Sequence, residues 1–225
     1  MSPNPISQSE GAVEAPTEVI DSATGRPKPN VEKGRMLFHV LAMSLAAVLC
    51  LVLDDPHWRG GLTIGALTLA VLYELLRKTK YFREKFNSLV RDKEVRTRAA
   101  STDFLIAMAI CAFAFSPRVA ATAFLVTAFA DPMARLFGVY FGTVRWSNSR
   151  KTIEGSIGFV LVAFAVIVAM AQPMWQTATV TAFLAAWVER HSNERIIETW
   201  FGLLRMPSDN ATIPLTVSVM LACFT

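Results

Sequence analysis

The sequence predicts an all-α fold, a polytopic transmembrane bundle of about seven spans. Three observations carry this. Apolar residues make up 53% of the 225-residue chain, against roughly 45–50% in an ordinary soluble domain, and the mean hydropathy is +0.39. They stand in long blocks of Ala, Val, Leu, Ile, Met and Phe, not at the three-to-four-residue recurrence of a soluble amphipathic helix. The Lys and Arg residues are confined almost wholly to alternate connections between those blocks.

Residues 1–34 are rich in Pro, Ser, Glu and Asp and hold no apolar run able to pack, so they read as a disordered cytoplasmic tail. They also lack the basic and then apolar stretches of a secretory signal. Residues 35–225 form the membrane domain. A spanning helix needs about 20 mostly apolar residues, with about 17 as the practical minimum. The candidate spans are Arg35 to Leu53, Gly61 to Leu76, Ala99 to Phe115, Pro117 to Ala130, Ser156 to Ala171, Met174 to Val188, and Ala211 to the C-terminus. Ser116 and Pro117 alone separate the third from the fourth, which predicts a tight hairpin. Cys50, Cys111 and Cys223 lie within apolar runs without metal-type spacing and read as inert packing residues.

Charge orients these spans, because Lys and Arg in short loops mark the cytoplasmic side. Of the 22 Lys and Arg residues, only Arg59 and Arg118 fall on the opposite side. The N-terminus is therefore expected inside and the C-terminus outside. The basic run from Arg77 to Arg98 reads as a cytoplasmic amphipathic segment near anionic headgroups. This orientation accounts for the basic composition without nucleic-acid binding.

Chemistry is expected on the cytoplasmic face, where three segments interrupt the apolar pattern. Glu32, Arg35 and His39 share one helical face at the mouth of the first span. Arg35 reads equally as a snorkelling anchor, whereas His39, one turn deeper, needs a partner to offset its burial in lipid. The second segment runs from Asp131-Pro132 through Ala134, Gly138, Phe141-Gly142 and Arg145-Trp146 to Arg150-Lys151-Thr152-Ile153-Glu154-Gly155-Ser156. An acid closing a helix suits Mg²⁺, which prefers oxygen ligands. Glycines let backbone approach phosphate, and Arg150 and Lys151 precede a helix start whose N–H groups favour anions. The third segment, 189–210, holds Glu189, Glu194, Glu198, Asp209 and Asn210, and its last pair also reads as a cap for the final helix.

The string DPMARLFGVYFGTVRWSNSRKTIEGS resembles the nucleotide loop of the polyprenol kinase family, which includes dolichol kinase, phytol kinase and CTP-dependent diacylglycerol kinase. The family pattern falls on Asp131, Ala134, Gly138, Phe141-Gly142, Lys151-Thr152 and Glu154-Gly155-Ser156, and Arg145-Trp146 is most similar to the dolichol kinase branch. Arg35 and His39, then a late Glu, Asp209-Asn210 and Ile213-Pro214, match in order. The late Glu is Glu198 by the shorter gap, with Glu189 as the alternative. Met36 departs from the Lys often found there.

The resemblance implies transfer of the γ-phosphoryl group of CTP, with ATP as the alternative donor, to a membrane-dissolved isoprenoid alcohol. It implies Mg²⁺ on Asp131 and Asp209, and phosphate contacts from Arg150, Lys151 and the Gly155 and Ser156 amides. His39, Glu154 or Glu198 would orient or deprotonate the hydroxyl. Arg35, Gly138, Gly142, Arg145, Thr152 and Asn210 complete the implied nucleotide site. The implied location is an integral membrane protein of the bacterial inner membrane or eukaryotic endoplasmic reticulum, active on its cytoplasmic face. Rival readings are a CTP-dependent diacylglycerol kinase, a cytidylyltransferase forming a CDP-lipid, and a transporter or scaffold without catalysis.

Overall fold

The computed structural model describes residues 33–79, 82, 100–147, 151–172, 174–192 and 208–224. The expected tail, most of the basic run 77–98, Arg150 and Glu198 therefore lie outside the described residues, as do the side chains of Lys33 to Arg35. The described residues hold seven helices: α1 (Lys33–Val52), α2 (Pro56–Leu76), α3 (Ala100–Ala114), α4 (Pro117–Tyr140), α5 (Ile153–Ala171), α6 (Trp175–His191) and α7 (Asp209–Phe224). Among these residues β-structure amounts to one bridge between Arg145 and Thr152.

Each expected span is a helix, and several of them run further into polar sequence than apolar runs reveal. α2 starts at Pro56 instead of Gly61, because Asp55 caps it by accepting from the His57 N–H at 2.9 Å and Pro56 suits the first turn. α5 starts at Ile153, capped by Thr152. α6 continues through Glu189, Arg190 and His191, which are helical and not loop. The largest correction concerns α4, which does not stop at Ala130 but continues through Pro132 to Tyr140. Proline forfeits only the bond to the carbonyl four residues earlier, and close packing on both sides holds the helix together. Asp131 therefore sits inside a helix, and residues 131–140 are not part of a nucleotide loop.

By length and composition, α2, α4 and α5 are each able to cross a membrane, and Met36–Val52, α3 and α7 are shorter apolar helices. Their surfaces fit a lipid solvent, with Ile64, Val71, Phe113, Leu161 and Phe183 all exposed. α4 is the hub, packing on α1, α5 and α7; α5 packs on α6 and α6 on α7, while α3 lies on α7 and α2 on α3. The expected tight turn at Ser116-Pro117 is present, but its arms diverge. α3 makes its main packing with α2 and α7. Within α4, the buried hydroxyls of Thr122 and Thr127 donate to carbonyls one turn back at 2.7 and 2.9 Å, so neither is orphaned in the apolar interior. Cys50 and Cys111 are buried as expected, whereas Cys223 is exposed.

Side-chain bonds identify which helix ends lie together. At one end, Thr102 donates to Glu74 at 3.0 Å, joining the start of α3 to the end of α2. Asp103 accepts from the Ser208 N–H at 2.8 Å, joining α3 to the start of α7. At the other end, Arg59 donates to the carbonyls of Ala112 at 3.1 Å and Phe115 at 2.5 Å, filling the acceptors left open where α3 stops.

Candidate functional site

The residues singled out by sequence gather at the Asp131 end of the bundle. His39, on α1, donates from Nε2 to the Thr127 carbonyl at 3.1 Å and stands 3.7 Å from the Asp131 carboxylate. A nitrogen that donates to a carbonyl carries its proton, so through this atom His39 orients and does not act as a base. The charges acting on Asp131 are the carboxylates of Asp209 and Glu189 and the cations of Lys151 and Arg135. Asp131 on α4 thus stands 3.7 Å from His39 on α1 and within the electrostatic reach of the segment before α5, the end of α6 and the start of α7.

Lys151 is tied to the end of α6. Its Nζ donates to the Glu189 carboxylate at 2.5 Å and also to the Glu189 main-chain carbonyl. Glu189 is 5% exposed, so its charge needs this partner. Glu189, the alternative to Glu198 in the sequence reading, is thereby part of the cluster. Its signal was its place just after the expected end of an apolar run, but its partner lies 38 positions away in sequence.

The start of α5 is internally satisfied. The Gly155 N–H donates to the Thr152 hydroxyl at 3.1 Å, the Ser156 N–H to the Thr152 carbonyl at 3.2 Å, and the Ile153 N–H to the Val144 carbonyl at 2.9 Å. Of the two amides expected to contact phosphate, that of Gly155 is engaged in the Thr152 cap and that of Ser156 makes the first backbone bond of the helix. Glu154 is likewise occupied. Its carboxylate accepts from the Thr143 N–H at 2.9 Å, the Thr143 hydroxyl at 2.5 Å and the Val144 N–H at 3.1 Å, clamping the loop after α4. Glu154 thus ties the loop after α4 to the start of α5.

The glycines serve a different close approach from the one expected. A methyl group on Gly155 would stand 2.7 Å from the Ala134 carbonyl and 3.4 Å from Gly138 Cα, and one on Gly138 would stand 2.9 Å from the Thr152 hydroxyl. Gly138 and Gly155 let α4 and α5 cross backbone to backbone, the use small residues have in membrane bundles. Gly142 packs equally tightly against the Gly138 carbonyl and Thr152.

The loop between α4 and α5 is fastened to both α5 and α6. Arg145 bridges to Thr152, Trp146 Nε1 donates to the Ser156 hydroxyl at 3.1 Å, and the Arg190 guanidinium lies 4.1 Å from the centre of the Trp146 ring. Asn210 donates to the Ala100 carbonyl at 3.5 Å and its own N–H meets the Asp209 carboxylate at 3.0 Å. The helix start is completed by Ser208, whose carbonyl accepts from Ala211 and Thr212. Asp103, which sequence reasoning did not single out, supports this start from 105 positions away.

Among the described residues, no three His, Cys, Asp or Glu side chains converge as a ready-made metal group. Asp131 and Asp209 nevertheless fit Mg²⁺ by donor chemistry, since that ion is usually held by one or two carboxylates with the remaining positions filled by water and substrate phosphates. No protein-family model, curated protein or solved structure matches this chain.

Proposed function

We propose that the protein is a membrane kinase that transfers the γ-phosphoryl group of CTP to the hydroxyl of an isoprenoid alcohol. The observation that carries this reading is the gathering of His39, Asp131, Lys151, Glu189 and Asp209 around one centre. These are positions that the resemblance to polyprenol kinases selects along a chain that brings them together only on folding. In this reading all seven helices span the membrane, the Asp131 end is cytoplasmic, and the C-terminus lies opposite, as the skewed basic residues require.

The alcohol oxygen forms a bond to the γ-phosphorus as the bond from that phosphorus to the β–γ bridging oxygen breaks. CDP leaves with the bonding electrons, and the hydroxyl proton departs late, to water. Such transfer asks mainly for positioning and charge stabilisation. Mg²⁺, held by Asp131 and Asp209, would neutralise the β- and γ-phosphates. His39 stands beside Asp131, Lys151 keeps the buried Glu189 charge balanced, and Arg135 adds a cation one turn beyond Asp131.

The test uses purified protein with CTP labelled at either the α- or the γ-phosphate, Mg²⁺ and a series of lipid alcohols. The proposal expects γ-label in the lipid and CDP in solution. Transfer of α-label with release of pyrophosphate would make the protein a cytidylyltransferase, and transfer to diacylglycerol alone would change the acceptor. Absence of transfer from either label to any acceptor would overturn the enzyme reading.

A further inference from the structure

The start of α7, which carries Asp209, is fastened from α3 more than by its own sequence. Ser208 stands where a capping hydroxyl normally serves a helix N-terminus, and its main-chain carbonyl accepts from the Ala211 and Thr212 N–H groups at 2.9 and 3.0 Å. Its side-chain Oγ, however, is buried and meets no hydrogen-bond partner among the described residues. The outside hold comes from the first turn of α3. There Asp103 accepts from the Ser208 N–H at 2.8 Å, and the Ala100 carbonyl accepts from Asn210 Nδ2 at 3.5 Å. These two contacts bracket Asp209 in the chain, one residue before it and one after.

The first turn of α3 is itself held from the other side. Next to Asp103, the Thr102 hydroxyl donates to Glu74 at 3.0 Å, and Glu74 also accepts from Nε of the buried Arg77 at 2.7 Å. The end of α2 therefore grips the start of α3, which in turn grips the start of α7. Asp103 is 5% exposed. Burying a carboxylate is costly unless donors meet it, and one donor that meets Asp103 is the N–H immediately before Asp209. The place so fixed lies within reach of the cluster, because the Asp209 charge bears on both Asp131 and Glu189.

We infer that Asp103 is a positioning residue that fixes, through the Ser208 N–H, where the Asp209 carboxylate stands, so that Asp131 and Asp209 hold one Mg²⁺ between them. The inference rests on the kinase reading, in which those two carboxylates share the ion. Mg²⁺ demands near-ideal octahedral geometry at about 2.0–2.1 Å, so each ligand must be held to within about 0.5 Å. Asp131 meets that demand by lying inside α4, with helix on both sides. Asp209 is the first residue of α7, and helix ends fray. Its place therefore depends on a hold from outside its own helix, and Asp103 supplies one.

Mn²⁺ takes the same oxygen ligands as Mg²⁺, and its binding is read by electron paramagnetic resonance on the full-length protein in nanodiscs, with CTP and without alcohol. Loss of a partner that orients a metal ligand typically costs 10–100-fold in affinity. Asp103→Ala is expected to weaken protein-dependent Mn²⁺ binding by roughly that factor, and to raise in parallel the Mg²⁺ concentration needed for half-maximal γ-transfer. Asp103→Asn keeps an oxygen for the Ser208 N–H and should bind Mn²⁺ much closer to wild type. Ser208→Pro removes the donor alone and should match Asp103→Ala, and the two together should be no worse than either, since both break one bond. Arg59→Ala, altered at the opposite end, leaves Mn²⁺ binding per folded molecule unchanged. Wild-type Mn²⁺ affinity in folded Asp103→Ala or Ser208→Pro overturns the inference, as does an equal loss in Arg59→Ala. Where Asp103→Ala does not fold, Ser208→Pro decides alone. A wild-type protein that binds no Mn²⁺ beyond that held by CTP itself defeats the metal assignment of the kinase reading, and the inference falls with it.

Discussion

The two ends of the bundle solve different problems with the same kinds of residue. At the Arg59 end one cation meets main-chain carbonyls, Ala112 and Phe115, that a stopping helix leaves open. Those bonds, and the Asp55 cap of α2, finish helices. At the Asp131 end the carboxylates of Asp131, Glu189 and Asp209 crowd together with Lys151, Arg135 and His39. Only part of that charge is needed to finish helices. Like charges held close in a partly buried site cost stability, and the proposed phosphoryl transfer would give that surplus a use. Architecture alone explains the first end but not the second.

Lys151 gives the largest expected effect on stability. Lys151→Met strips the buried Glu189 carboxylate of its partner, and breaking a buried pair costs about 3–5 kcal/mol. Thermal unfolding in detergent is expected to shift down sharply, and Lys151→Met with Glu189→Gln to recover much of the loss. A single variant as stable as wild type would show that Lys151 is held for substrate and not for α6.

Gly155→Ala comes next. Its new methyl would stand 2.7 Å from the Ala134 carbonyl, and overpacking of this kind costs about 1–3 kcal/mol. Because α4 carries Asp131 and α5 follows Lys151, turnover should fall together with the melting temperature. Loss of turnover at unchanged melting temperature would return Gly155 to the phosphate-binding role expected from sequence.

Gly61→Ala gives the smallest effect, and of opposite sign. Gly61 lies within α2 with nothing within 4 Å of a new methyl, so relief from the glycine penalty should stabilise the helix by about 0.5–1 kcal/mol. A loss of stability there would reveal a close partner for α2 beyond this chain.

Seven helices were legible because lipid-facing helices must be apolar along most of their length, and the runs from Ala99 to Ala130 and Ser156 to Ala171 announce themselves. Their polar ends were not legible. Pro132 reads as a break, yet α4 passes through it because tertiary packing outweighs one missing hydrogen bond. Of the residues singled out by type, His39 stands 3.7 Å from Asp131, and Lys151 pairs with Glu189. Their individual duties were not legible. Whether Gly155 faces phosphate or another helix depends on what lies across from it, and the pairings of Lys151 with Glu189 and Asp103 with Ser208 span distances that no local pattern encodes.

The most direct test sets the two ends against each other in one assay. Transfer of γ-label from CTP to an isoprenoid alcohol is measured for wild type, Asp131→Asn and Arg59→Ala, each normalised to its folded fraction by thermal unfolding. Removing a group that stabilises transition-state charge typically costs roughly 10²–10³ in rate, and that loss is expected for Asp131→Asn with its melting temperature nearly unchanged. Arg59→Ala is expected to melt earlier and to transfer phosphate at the wild-type rate per folded molecule. Equal losses in both variants, or full transfer by Asp131→Asn, would contradict the assignment of chemistry to the Asp131 end.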